Sequence, residues 1–160
     1  MRRYDTFTFV NDCLDYLKAN LNTIITSDNS AYQSNLLKDV PSENYVYFTE
    51  NLIDELGADA CVLYNTPITN SVQKSGAKSA MTKAWQVGIA YAEGIRDMDI
   101  KNLEKILRYE TCLQQALDSF FNKTGYCSPE IVNSTVKAEA DDNNIYRFAI
   151  FDINFTIAGT

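Results

Sequence analysis

The sequence predicts an α+β fold, and three observations predict it. Two segments, Phe7–Ile25 and a stretch closing near Lys123, repeat apolar residues at three- and four-residue spacing, as helices packed on one face do. Two others, Trp85–Tyr91 and Tyr146–Ile157, alternate side to side as strands do. The elements follow one another as α-β-β-α-β-β. We therefore expect a mixed, mainly antiparallel sheet with two long amphipathic helices and a long loop between the early strands. At 160 residues the chain has the length of one domain, 1–160, in which 65–83 reads as a mobile loop or arm.

The first helix has a stripe of Val10, Cys13, Leu14, Leu17, Leu21, Ile24 and Ile25, with Asp5 or Thr6 placed to cap it. Asn11, Asp15, Lys18 and Asn22 are expected to face water. Ser27–Glu43 offers little periodicity, and Pro41 ends any local helix. Tyr45-Val46-Tyr47-Phe48 has strand composition. A short helix over Glu50–Leu56, capped by Thr49 and closed by Gly57, is expected next. Ala60–Tyr64 reads as a buried strand.

Asn65–Lys83 is the least globular stretch and is expected to form a mobile hairpin or arm. It carries Lys74, Lys78 and Lys83 with no acid between them, and long loops in compact domains are usually functional. In the strand that follows, Trp85, Val87, Ile89 and Tyr91 share one face. Gln86, Gly88, Ala90 and Ala92 make the other small enough for close approach. Asp97 or Asp99 caps the second helix, whose stripe is Leu103, Ile106, Leu107, Leu113, Leu117, Phe120 and Phe121. Glu104 and Arg108 can pair on it and Gly125 supplies the stop.

The end of the chain is β. Ile131–Glu139 alternates weakly, Asp141-Asp142-Asn143-Asn144 is a turn cluster, and Tyr146–Ile157 is a strand about twice the usual length. One face of it, Ala149, Phe151, Ile153, Phe155 and Ile157, is apolar throughout. The other is apolar at Tyr146, Phe148 and Ile150 and polar at Asp152, Asn154 and Thr156. Two readings remain open. Part of this strand lies outside the monomer's sheet or at a subunit boundary, or the sheet is longer and carries a second layer from the Tyr45–Leu56 region.

Composition excludes several function classes. Fourteen basic against 21 acidic residues give a net charge of −7, the wrong sign for general nucleic-acid binding. Histidine is absent, and with it the commonest metal ligand and neutral-pH base. No phosphate-loop, dinucleotide, zinc-protease or serine-hydrolase motif occurs. Asp97-x-Asp99 reads as a helix cap and Asp141-Asp142 as a turn rather than as cation sites. Glu139 and Asp152 are expected apart or solvated, because like charges directly opposed across a hairpin repel.

Cys13, Cys61, Cys112 and Cys127 lack zinc spacing and read as reduced, small hydrophobes. No signal peptide or membrane span is read, so we expect synthesis in a reducing cytoplasm and no membrane partner. Ten Tyr, eight Phe and one Trp suit core packing and subunit contacts. The expected subunit interface is Tyr146, Phe148, Ile150 and Trp85. The expected partner-docking loop carries Lys74, Lys78 and Lys83.

In the order of Phe7–Ile25, Ala60–Tyr64, Trp85–Tyr91, Asp99–Lys123 and Tyr146–Ile157, the chain resembles the tail terminator and tail-completion (neck) proteins of long-tailed bacteriophages. The resemblance is one of architecture, carried by no signature motif. It implies a non-catalytic virion protein, assembled in the host cytoplasm without cofactor or metal. Such a protein forms a ring, commonly of six copies, that caps the tail tube and joins it to the head. Its partners would be further copies of itself, the tail tube protein and the neck or connector proteins. DNA would pass through the bore without specific binding, and Asn65–Lys83 would be the loop that reaches the tube. A small cytosolic α+β adaptor or ligand-binding domain is the alternative. It would show an apolar pocket between sheet and helices.

Overall fold

The computed structural model describes residues 5–48, 56, 59–66, 69–75, 78–94, 100–123 and 127–158. The elements are α1 (Thr6–Ala31), a 3-10 turn (Ser42–Asn44), β1 (Tyr45–Tyr47), β2 (Cys61–Tyr64), β3 (Thr69–Ser75) and β4 (Lys78–Gly94). They continue with α2 (Ile100–Lys123), β5 (Glu130–Ala140) and β6 (Asn144–Ala158). The fold is α+β in the expected order, with β1 and β3 as further strands. The sheet runs β1-β2-β4-β6-β5, with β3 on β4. Every pairing is antiparallel except the parallel β1–β2.

Asp5 caps α1, its carboxylate accepting from the Thr8 N–H at 2.8 Å. The helix continues past Ile25 to Ala31 and closes on Gln33 at a φ of 51°. There the Gln33 N–H donates to the Ser30 carbonyl at 3.1 Å and the Ser34 N–H to the Asn29 carbonyl at 2.9 Å. These two bonds satisfy the terminal carbonyls in the arrangement that usually recruits glycine.

Ser34–Pro41, which showed no period of its own, is held by side chains from both helices. Asn22 exchanges two hydrogen bonds with the Val40 backbone (2.8 and 3.0 Å) and Asn29 two with that of Leu37 (2.8 and 3.2 Å). The Tyr109 hydroxyl accepts from the Lys38 N–H at 2.7 Å and donates to the Lys38 carbonyl at 2.8 Å. Leu37 and Val40 are thereby buried in the core. Asn22 is thus a clamp rather than a water-facing residue, which corrects the expectation from sequence.

The main core lies between the helices and one face of the sheet. Trp85, Val87, Ile89 and Tyr91 of β4 share it with Ala149, Phe151, Ile153 and Phe155 of β6, as their alternation predicts. Phe9 stacks on Phe155 at 4.0 Å between ring centroids. The opposite face carries a smaller cluster, in which Leu56, Val46 and Phe48 pack with Ala90, Tyr146 and Phe148. Close approach between β4 and β6 is built in at Gly88, where a Cβ would meet the Ala149 carbonyl oxygen at 2.7 Å.

Of the two readings of the last strand, the longer sheet within one chain is the one present. β6 pairs with β4 along its whole length, from Asn144 opposite Gly94 to Ala158 opposite Ala80, so no part of it leaves the monomer's sheet. The hairpin or arm expected over Asn65–Lys83 is a hairpin over most of its length. β3 pairs with β4 from Thr69 opposite Ala84 to Ser75 opposite Lys78. The helix expected over Glu50–Leu56 and the caps Asp97, Asp99 and Gly125 lie outside the described residues, apart from Leu56.

Candidate functional site

β4 is 17 residues long because it serves two neighbours on one side. Its second half pairs β2 and its first half pairs β3, while β6 lines its other side throughout. The result is an arm that prolongs the sheet, made of β3, the start of β4 and the end of β6. Within it, Lys83 donates to Asn70 across the hairpin. Lys74 lies opposite Ser79 and Lys78 opposite Ser75. By that register Lys74 and Lys83 occupy positions on one face and Lys78 a position on the other. The hairpin therefore brings the three lysines onto one element but not onto one face.

The expected subunit interface does not survive as drawn. Trp85, Tyr146 and Phe148 expose only 1%, 4% and 4% of their surface within the single chain, and Ile150 is half-buried. Trp85 stands in the main core; the other three belong to the smaller cluster with Val46, Phe48 and Leu56. The apolar area of Trp85, Tyr146 and Phe148 is already removed from water, so a second copy would gain little by covering them; only Ile150 keeps area to bury. Sequence alternation identified apolar faces correctly but could not say that this chain covers both.

The Asp141 carboxylate is structural. Asp141 accepts from the N–H groups of Asn143 and Asn144 at 2.8 and 2.7 Å, and from the Tyr146 hydroxyl at 2.8 Å. The Asn143 amide first, then the Asn144 amide and the Tyr146 hydroxyl, hold this carboxyl below the usual range. Glu139 lies opposite Tyr146 and pairs with Lys137 at 3.2 Å, whereas Asp152 lies opposite Asn133. The two carboxylates are apart, as expected. Among the described residues no group of three or more His, Cys, Asp or Glu converges as a metal site would require. All four cysteines are buried thiols outside any disulfide. Burial pushes the Cys112 thiol up to about 12 and raises those of Cys13 and Cys61, which suits packing rather than nucleophilic chemistry.

Two arrangements escaped the sequence reading. One is a polar cluster at the end of β4, where Arg147 donates to Glu93 at 2.7 Å and the Lys105 ammonium lies 4.3 Å from the Tyr91 ring. Burial, then the nearby Lys38 charge, lowers the Lys105 pKa. The second is a groove of about 360 Å³ between the start of α1 and the ends of β1 and β2, lined by Phe7, Val10, Leu14, Tyr47 and Tyr64. Phe7 and Tyr47 are 72% and 54% exposed at its rim. Tyr47 and Tyr64 are in ring contact at 4.4 Å, and burial followed by Tyr47 pushes the Tyr64 hydroxyl up to about 12. Phe7 stands outside the stripe of α1, which is the one signal the sequence offered for it. The sequence matches no protein-family model and no curated protein.

Proposed function

We propose that this chain is a non-catalytic structural subunit of a ring at the head-proximal end of a phage tail, a tail terminator or head–tail joining protein. The observation that carries the reading is the arm, in which β4 and β6 extend the sheet together and β3 rides on β4 alone among the strands. An arm of this kind suits reaching a neighbour or the end of a tube, and its lysines suit an acidic partner surface. The body suits the same role, with two helices on one face of a rigid sheet and a net charge of −7 that would repel DNA in transit through a bore. Its partners would be further copies of itself, commonly six to a ring, the tail tube protein and the neck or connector proteins. It would be assembled in the host cytoplasm and carried in the virion, with no cofactor and no membrane. Electron microscopy of the purified protein tests this: closed rings are expected, and a monomer at high concentration with no ring in virions counts against it.

The groove beside Phe7 favours a second reading, a small α+β adaptor or ligand-binding domain. Such a protein shows a pocket between sheet and helices, and Tyr47, Tyr64 and Leu14 line one here. A stable monomer that takes up an apolar ligand, lost in Phe7→Ala and Tyr47→Ala, would select it.

A further inference from the structure

We infer that β5 is a self-complementary sheet edge through which two copies of this chain join, antiparallel, about a two-fold axis at Ser134. β5 ends the sheet: it pairs with β6 on one side, and no described strand pairs with the other. Natural edges of this kind are blunted by shortness, proline, lysine or a bulge. β5 runs for 11 residues with no internal proline and one lysine, and its bulge is confined to Val132 at its start. Glu130, Asn133, Ser134, Thr135 and Lys137 are all exposed.

The occupant follows from the pattern of faces. A two-fold that relates neighbouring antiparallel strands runs perpendicular to the sheet, so each face continues as the same face in the second copy. The ladder with β6 fixes those faces. Ile131, Ser134 and Val136 lie opposite Ile153, Phe151 and Ala149, on the helix-packed side. Glu130, Asn133, Thr135 and Lys137 lie opposite Asn154, Asp152, Ile150 and Phe148, on the other. The bulge residue shifts the count by one, so Ile131 and Val136 share a face despite their odd separation.

With the axis at Ser134, Glu130 of each copy meets Lys137 of the other. Ile131 meets Val136 and Asn133 meets Thr135, every pair occurring twice. Opposite charges and apolar residues in facing positions are what stabilise cross-strand pairs. An axis at Thr135 sets Glu130 against Glu139, and one at Lys137 sets the two lysines together. An axis at Ala138 also pairs opposite charges, Lys137 with Glu139, but overlaps only the last few residues of the strand. The Ser134 register is the one that joins charge, apolar and polar pairs over most of the edge.

This contact is isologous and does not rest on the ring reading, since a cyclic ring needs a heterologous contact. Cross-linking the full chain tests it. Facing residues in antiparallel strands have Cα atoms about 4.5–5.5 Å apart, within disulfide range. Under mild oxidation Ser134→Cys should give a covalent dimer on a denaturing gel and Ala138→Cys should not, the native cysteines being buried. Glu130→Lys and Lys137→Glu should each weaken dimerisation by roughly tenfold. The double exchange should restore it, although it does not restore the Lys137–Glu139 pair within the chain. Cross-linking through Ala138→Cys instead, or none through Ser134→Cys, overturns the inference. Rings without the Ser134→Cys cross-link overturn it while leaving the ring reading intact.

Discussion

Arg108 of α2 donates to Asp28 of α1 at 2.7 Å, and the two side chains expose only 6% and 14% of their surface. A second donor of the same guanidinium reaches the Asn29 side-chain oxygen at 3.0 Å, so one arginine locks the last turn of α1 to the middle of α2. Removing one partner of a buried pair strands the other charge and costs about 3–5 kcal/mol. Asp28→Ala should therefore lower stability by that order in a denaturant melt. Glu104→Ala removes the half-exposed 3.5 Å partner of the same arginine and should cost under about 1 kcal/mol.

The clamp on Ser34–Pro41 makes a second prediction. Asn22→Ala removes both hydrogen bonds to the Val40 backbone, and Tyr109→Phe removes both to Lys38. Each leaves part-buried backbone groups unpaired, at about 1–3 kcal/mol per group left unsatisfied. Hydrogen exchange should show Lys38 and Val40 losing protection in these variants before the sheet does.

Gln33 closes α1 in a conformation where a β-carbon is penalised, which glycine would adopt freely. Gln33→Gly should stabilise the protein by about 0.5–1 kcal/mol, a rise in the denaturation midpoint with unchanged slope. A destabilised variant would mean that the Gln33 side chain contributes more than its backbone costs.

The Asp141 turn should weaken in acid. Its carboxyl titrates below the ordinary value of about 3.9, so the stability it contributes is complete above that pH and is lost as pH falls through the depressed value. Asp141→Ala should be less stable than the parent at pH 7. The difference should shrink progressively below pH 4, as measured by paired urea melts. A gap that stays constant into acid would assign the effect to packing instead.

These features mark how far the sequence could be read. The α1 stripe and the faces of β4 and β6 were legible because each residue's spacing alone dictates its side. The α2 stripe was legible only in part, since Leu103 and Leu107 share its spacing yet are 47% and 43% exposed. The end of α1 was not: the usual stop signal is glycine, and Gln33 fills that position under tertiary constraint. Ser34–Pro41 was opaque for a related reason, being ordered by amide and phenol groups from Asn22, Asn29 and Tyr109 rather than by a period of its own. At the candidate site, alternation marked Tyr146 and Phe148 as apolar but could not reveal that they are buried within the chain, in a cluster with Val46, Phe48 and Leu56. The arm was foreseen as a lysine-bearing segment, while its pairing depended on a partner strand, β4, whose first half is too polar to alternate.

Mass measurement of the purified chain under native conditions, across a wide concentration range and paired with images of the same sample, tests the assembly role most directly. Closed rings of several copies are the predicted result. Monomers throughout, or dimers that never close, would contradict it.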